Sequence, residues 1–295
     1  MCHPQQMDLS EPAPPTLVKQ SVQTDIGIVS FGYELAGLLA GHPPVTIIAG
    51  APDDESVVGI VETLTEALTR SRWLIVVAAD WIEPPEDRRL RTALMILDSD
   101  RIGVSYRSLP PLAGGVLAVL AAALTEHLHA PGLTLGALDN VAAELLAVAW
   151  LRSISGLRRP TPSLAQHASS LVSGRGFVVG VTPHEFVHRA ARDHETGLSA
   201  LSGPMQLVFA DRAGNRDWVT RVIAPALGGG RIGEVQSPSR APEWWGTSRL
   251  TEAVAYPAHL EELAERVSRD LTLVTCGWCE TSVVALPCPF CGHAG

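Results

Sequence analysis

The sequence predicts an α/β protein of two Rossmann-like lobes with mostly parallel sheets, closed by a short cysteine-bearing appendage. Three observations predict it. From about residue 25 onward, short apolar runs alternate with amphipathic segments of helical period. The same strand–helix order recurs in both halves, and an Arg-Ile-Gly opens a strand in each, at Arg101–Gly103 and Arg231–Gly233. Four of the five cysteines crowd into two C-x-x-C pairs at the C-terminal end.

The elements follow in order. Ile26–Ser30 reads as a strand, followed by a helical stretch over residues 33–41. Val45–Gly50 is a second strand, and the turn APDDES leads into the helix VVGIVETLTEALTR. Trp73–Asp80, apolar almost throughout, reads as a strand buried on both faces. A helix over EDRRLRTALMIL, the strand Arg101–Tyr106 and the helix LAGGVLAVLAAAL complete the first half. Leu135–Leu151 is rich in alanine and leucine and predicts a long helix ending in the linker GLRRPTP. The alternation then resumes with Gly176–Val181, a helix at HEFVH, the strand Met205–Ala210 and the helix DWVTRVIAPAL. Arg231–Ser237, a Trp- and Pro-containing connection, the helix AHLEELAERVSR and the strand LTLVT follow. The expected organisation is an arm over 1–20, a first lobe over 21–133, a connecting helix and linker over 134–160, a second lobe over 161–270 and the appendage over 271–295.

Charge and composition narrow the function classes. The 295 residues carry a formal charge of −9, with Lys19 the only lysine. That acidic balance argues against a nucleic-acid or anionic-membrane partner. The basic cluster Arg152, Arg158 and Arg159 reads as complementation of a helix C-terminus. The arm lacks an apolar signal core, and the most apolar window, Leu112–Leu124, is 13 residues long. A membrane-spanning helix needs roughly 20. A cytosolic protein with no membrane contact is expected. The carboxyl ends of the first-lobe strands, where open α/β sheets bind ligands, carry Ser30, Asp53, Asp54 and Asp80. No phosphate-cradling pattern accompanies them. Leu227-GGG-Arg231 runs from helix into strand, the wrong order for a phosphate loop.

The strong motif is CGWCETSVVALPCPFCG. Cys276 with Cys279, and Cys288 with Cys291, each set two thiolates on one side of a tight turn. Eight residues separate the pairs, and their β-branched run suits a hairpin strand that brings them together. Gly292 supplies the positive φ that such a turn often needs. Residues 271–295 resemble a short zinc-ribbon or rubredoxin-type module, and Cys-Pro-x-Cys-Gly is the most specific part. The resemblance implies a tetrahedral four-cysteine zinc site of structural rather than catalytic character, since four thiolates leave no open position. The same sulfurs also suit iron. Glu280 is the one acid between Leu271 and Gly295, where no lysine or arginine occurs. A protein or intramolecular contact is therefore the expected role, with Trp278 and Phe290 as contact candidates.

A second motif is contestable. His184, Glu185 and His188 fit His-Glu-x-x-His, in which the histidines bind zinc on one helix face and the glutamate acts as base. His194, ten positions after His184, extends the resemblance to the metzincin pattern, but Ala191 stands where that pattern has glycine. A left-handed alanine there costs about 1 kcal/mol or more. Thr182-Pro183-His184-Glu185 also reads as a capping box opening an amphipathic helix. The capped helix is the preferred reading, with Glu185 as the catalytic candidate of the other.

Trp244 and Trp245 sit in the irregular connection and either plug the core between lobes, the preferred reading, or form a recognition surface. The leading functional expectation is a binding or assembly protein that reaches a protein partner through the ribbon or the Trp244/Trp245 loop. The alternatives are a zinc hydrolase at HEFVH and a small-ligand enzyme or sensor with an interlobe cleft.

Overall fold

Two sheets share one buried helix. The computed structural model describes residues 24–34, 45–48, 56–170, 176–190, 204–227 and 230–294. The first sheet contains β1 (Thr24–Phe31), β2 (Thr46–Ile48), β3 (Ser71–Ala79) and β4 (Ile102–Arg107), all parallel in the order β2-β1-β3-β4. β3 is buried from Leu74 to Ala79, which is why its sequence shows no alternation.

Helix α1 (Val57–Arg70) opens on Ser56, whose hydroxyl accepts the Gly59 N–H, and it buries Ile60, Leu64 and Ala67 at helical spacing. Helix α2 (Pro84–Leu97) starts with two prolines inside a Glu83/Glu86 capping box. These two helices pack together on one face of the sheet. Helices α3 (Pro111–Leu128) and α4 (Pro131–Ala143) cover the other. Every residue of α3 is buried except Thr125, Glu126 and His127. By length and composition α3 could cross a membrane, but here it is a core helix. It is apolar all round because the first sheet covers one side and the second sheet the other.

The second half departs from the expected parallel lobe. Its six-stranded sheet runs β7-β6-β5-β10-β8-β9 and is antiparallel at every pairing but β8–β9. The helix expected over Leu135–Leu151 ends at Ala143, and its last six residues are strand β5 (Leu146–Leu151). Leucine and alanine favour helix locally, but β5 is buried on both faces inside the sheet, and pairing overrides that preference.

A short helix, α5 (Leu164–Ser170), precedes the hairpin of β6 (Phe177–Thr182) and β7 (Phe186–Arg189). The helix expected at HEFVH is therefore a turn and an edge strand. β8 (Met205–Arg212) leads to α6 (Arg216–Trp218), a π-helical turn at Val219–Ile223 and α7 (Ala224–Ala226). β9 (Ile232–Val235) and α8 (Ala241–Trp245) follow. The connection then contains a strand that the sequence pattern does not reveal, β10 (Leu250–Pro257), at the centre of the sheet. The stretch 33–41, Asp53, Asp54, His194 and Gly228–Gly229 fall wholly or mainly outside the described residues.

After β10 the chain returns to the first sheet. Helix α9 (Leu260–Ser268) packs on α3 and α4. A hairpin of β11 (Val274–Thr275) and β12 (Ser282–Val283) then docks beside α4 and β4, with Val283 bridged to Gly132. Phe290 meets the Trp73 ring edge-on at 5.4 Å. Cys276, Val283, Cys288 and Phe290 join the main core. The ribbon is thus fastened to the first half of the molecule.

Candidate functional site

The four cysteines converge as their spacing predicts. Their sulfurs all lie within 4.8 Å of one another, with Cys276–Cys291 and Cys279–Cys288 each at 3.6 Å. A tetrahedral zinc with bonds of about 2.3 Å holds its sulfurs about 3.8 Å apart, so the cluster has the size and donor set for such an ion. Each knuckle turns tightly: the Glu280 N–H donates to the Cys276 carbonyl, and the Gly292 N–H to that of Cys288. Glu280 (φ 58°) and Gly292 (φ 74°) occupy equivalent positions four residues after the first cysteine of each pair, both left-handed. The backbone N–H groups of Cys279 and Trp278 hold the Cys276 thiol down to about 6, favouring the thiolate that a metal needs, while burial pushes the Cys288 and Cys291 thiols up. His293 stacks on Trp278 at 6.1 Å, and it is not among the four clustered donors.

The HEFVH residues have a different geometry. His184 and Glu185 lie exposed in the turn between β6 and β7, and His188 lies exposed on β7, where its ring stacks on Phe186 at 5.1 Å. The i, i+4 helix face that would join the two histidines does not exist here. Among the described residues, no group of three or more potential metal ligands includes either of them.

A second set of residues gathers where the carboxyl ends of β1, β3 and β4 face the second sheet. Asp80 lies 3.6 Å from Arg159, which also donates to the Ser108 hydroxyl. Arg159 thus spans the two halves instead of ending a helix. Arg240 pairs with Glu86 at 2.9 Å and Glu243 at 3.0 Å and lies 4.8 Å over the Trp81 ring. Trp244 meets Trp81 edge-on at 5.5 Å, and Trp244 and Trp245 are both buried. Both rings of the tryptophan pair are thus packed inside, as the plug reading expects. Glu34 accepts from the backbone and hydroxyl of Ser239.

Two cavities open along this seam. The larger, about 640 Å³, lies between Glu34, Glu83, Glu86, Arg212 and Arg240, with Pro85 and Pro242 in its wall. The smaller, about 250 Å³, lies between Trp81, Trp244, Arg158 and Arg159. Arg212 is exposed and has no ion pair among the described residues.

The least legible residue is Glu252, in the middle of β10 and 1% exposed. Its Oε1 accepts weakly, at 3.5 Å, from the Leu112 N–H at the start of α3, and its Oε2 has no partner. Burial raises its pKa to about 7, against a lesser opposing influence from the nearby Trp245 indole. Neither Trp245 Nε1 nor Glu252 Oε2 completes a hydrogen bond of normal geometry. A lone glutamate in an apolar run was the only sequence signal for this group.

A parallel sheet and a mostly antiparallel sheet, joined across a buried helix with a cleft at the parallel strands' carboxyl ends, define a two-sheet α/β architecture. No family model matches the sequence, and no curated protein does. Solved structures do match, among them several of the DegV family. A DegV family protein from Corynebacterium glutamicum superimposes with a TM-score of 0.58 at 12% identity, over 80% of this chain and 98% of that one. A fatty-acid-binding DegV family protein from Thermus thermophilus gives 0.56 at 12% identity, over 79% and 100%. A DegV family protein from Eubacterium eligens, loaded with heptadecanoic acid, gives 0.55 at 10%, over 79% and 99%. This chain has a distant DegV-like fold.

Proposed function

We propose that this protein binds, without chemistry, an acyl ligand with an acidic head in the cleft between its two sheets, and that its four-cysteine ribbon is a structural zinc site. The observation that carries the reading is the cleft itself. A cavity of about 640 Å³ sits at the carboxyl ends of the parallel strands, within the size range of small-molecule sites. It does so in a fold shared with proteins described as fatty-acid binders. Arg212, one of three arginines lining that cavity with Arg89 and Arg240, has no carboxylate partner among the described residues, and it would receive the head group. The packing supports a first unit over 24–143, to which 258–294 returns, and a second over 146–257. A thiolate metal site in the ribbon favours the cytosol.

The test is thermal unfolding of delipidated, zinc-loaded protein with palmitate or oleate, and with the alcohols of equal chain length. Saturation near a hundredfold over Kd adds about 2.7 kcal/mol to stability. The acids are expected to raise Tm, the alcohols to do so less, and Arg212→Ala to remove the difference. No shift with either acid, together with no lipid retained in native mass spectra, refutes the reading.

A further inference from the structure

The ribbon and the end of α2 enclose a groove of about 610 Å³, remote from the interlobe cleft. Two apolar side chains stand open on its largely polar rim: Met95 is 78% exposed and Trp278 74%. Beside Met95, Ile96 is 61% exposed. Phe290 and Val104 line its interior. Leu94, Ile102, Ser99, Cys291, Asp98 and Asp100 complete the lining, which contains no lysine, arginine or histidine. Neither aspartate has an ion pair among the described residues.

A tryptophan held three-quarters exposed is unusual, because burying an indole is favourable and this one has only the His293 ring to stack on. The knuckle that carries it is fixed. Cys276 and Cys288 are interior, Val283 is bridged to Gly132, and Phe290 is packed on Trp73. The groove is therefore preformed, and a partner would order few side chains on binding. An exposed indole beside two unpaired carboxylates suits a cation flanked by apolar groups, through charge pairing and cation–π contact. A second copy of this chain fits poorly. The chain carries a net charge of −9, and residues 271–295 contain no lysine or arginine. A twofold pairing of grooves would set the aspartates against each other. Nucleic acid is disfavoured by the same carboxylates.

We infer that this groove docks another protein through a short segment in which arginine or lysine is flanked by apolar residues, with Trp278 and Met95 as apolar anchors and Asp98 and Asp100 as charge partners. This site stands apart from the acyl-binding reading and does not depend on it.

The experiment is selection of a phage-displayed library of random 12-residue peptides on the zinc-loaded full chain, with counter-selection on Trp278→Ala. Trp278 carries no core packing, so that variant is expected to keep its fold, its zinc and its response to palmitate. Enriched peptides should combine arginine or lysine with apolar residues. Trp278→Ala, and separately Asp98→Asn/Asp100→Asn, should weaken their binding at least about tenfold. No enrichment, enrichment of acidic or purely polar peptides, or equal binding to Trp278→Ala overturns the inference. So does a dimer in light scattering that Trp278→Ala disperses, which would assign the groove to a second copy.

Discussion

Replacing Glu252 by glutamine isolates the cost of a buried acid. Glutamine keeps the shape of the side chain and its ability to accept from the Leu112 N–H, and it removes the titration. The carboxyl is raised from its ordinary 4.5 to about 7 by burial, and no charged neighbour contributes. The sign follows from linkage: a carboxyl whose folded pKa is raised binds a proton on folding between 4.5 and about 7. Its contribution is therefore most favourable below 4.5 and is lost as pH rises through about 7, the reverse of a salt-bridged acid. At 1.36 kcal/mol for each tenfold in ionisation constant, that interval amounts to about 3 kcal/mol. Urea unfolding of both proteins between about pH 4.5 and 8 measures it. Metal binding by the four cysteines would also depend on pH, so the quantity to follow is the difference between the two proteins, in which shared terms cancel. Glu252→Gln is expected to gain about 3 kcal/mol on the wild type from the acid end to the alkaline end. A difference that stays constant within about 0.5 kcal/mol refutes a raised carboxyl at this position.

Other expectations are as direct. The protein should hold one zinc per chain by plasma mass spectrometry, and Cys288→Ser should abolish it and lower Tm, because the ribbon's interior residues belong to the main core; retained zinc would contradict the four-cysteine assignment. In Gly114→Ala the new methyl would lie 2.1–2.4 Å from Tyr33 ring atoms. Overpacking of this kind costs about 1–3 kcal/mol in urea unfolding, and a neutral result would mean that Tyr33 is not wedged against α3. Arg240→Met leaves Glu86, whose side chain is 3% exposed, without its cation. The expected loss is about 3–5 kcal/mol. Adding Glu86→Gln should restore much of it, and absence of rescue would show that Arg240 acts through Trp81 instead.

The sequence by itself determined what is written in short-range patterns. Helix α1 was legible to the residue, because Ser56 caps it and Ile60, Leu64 and Ala67 recur at its period. The central parallel strand β3 announced itself as an unbroken apolar run, and the cysteine pairs encode their own turns. Tertiary structure decided the rest. β5 and β10 hold no strand signal apart from their neighbours: one is alanine- and leucine-rich, and the other contains a glutamate that the fold buries completely. At HEFVH, the letters Thr182-Pro183-His184-Glu185 satisfy a helix cap on paper, yet pairing of Phe186–Arg189 with β6 outweighs it. The seam joining Trp81 to Trp244 and Asp80 to Arg159 brings together residues far apart along the chain. Local propensity acts over a few residues and differs by tenths of a kcal/mol per residue. Strand partners and buried contacts are set by residues distant in sequence, and where the two conflict the packing decides.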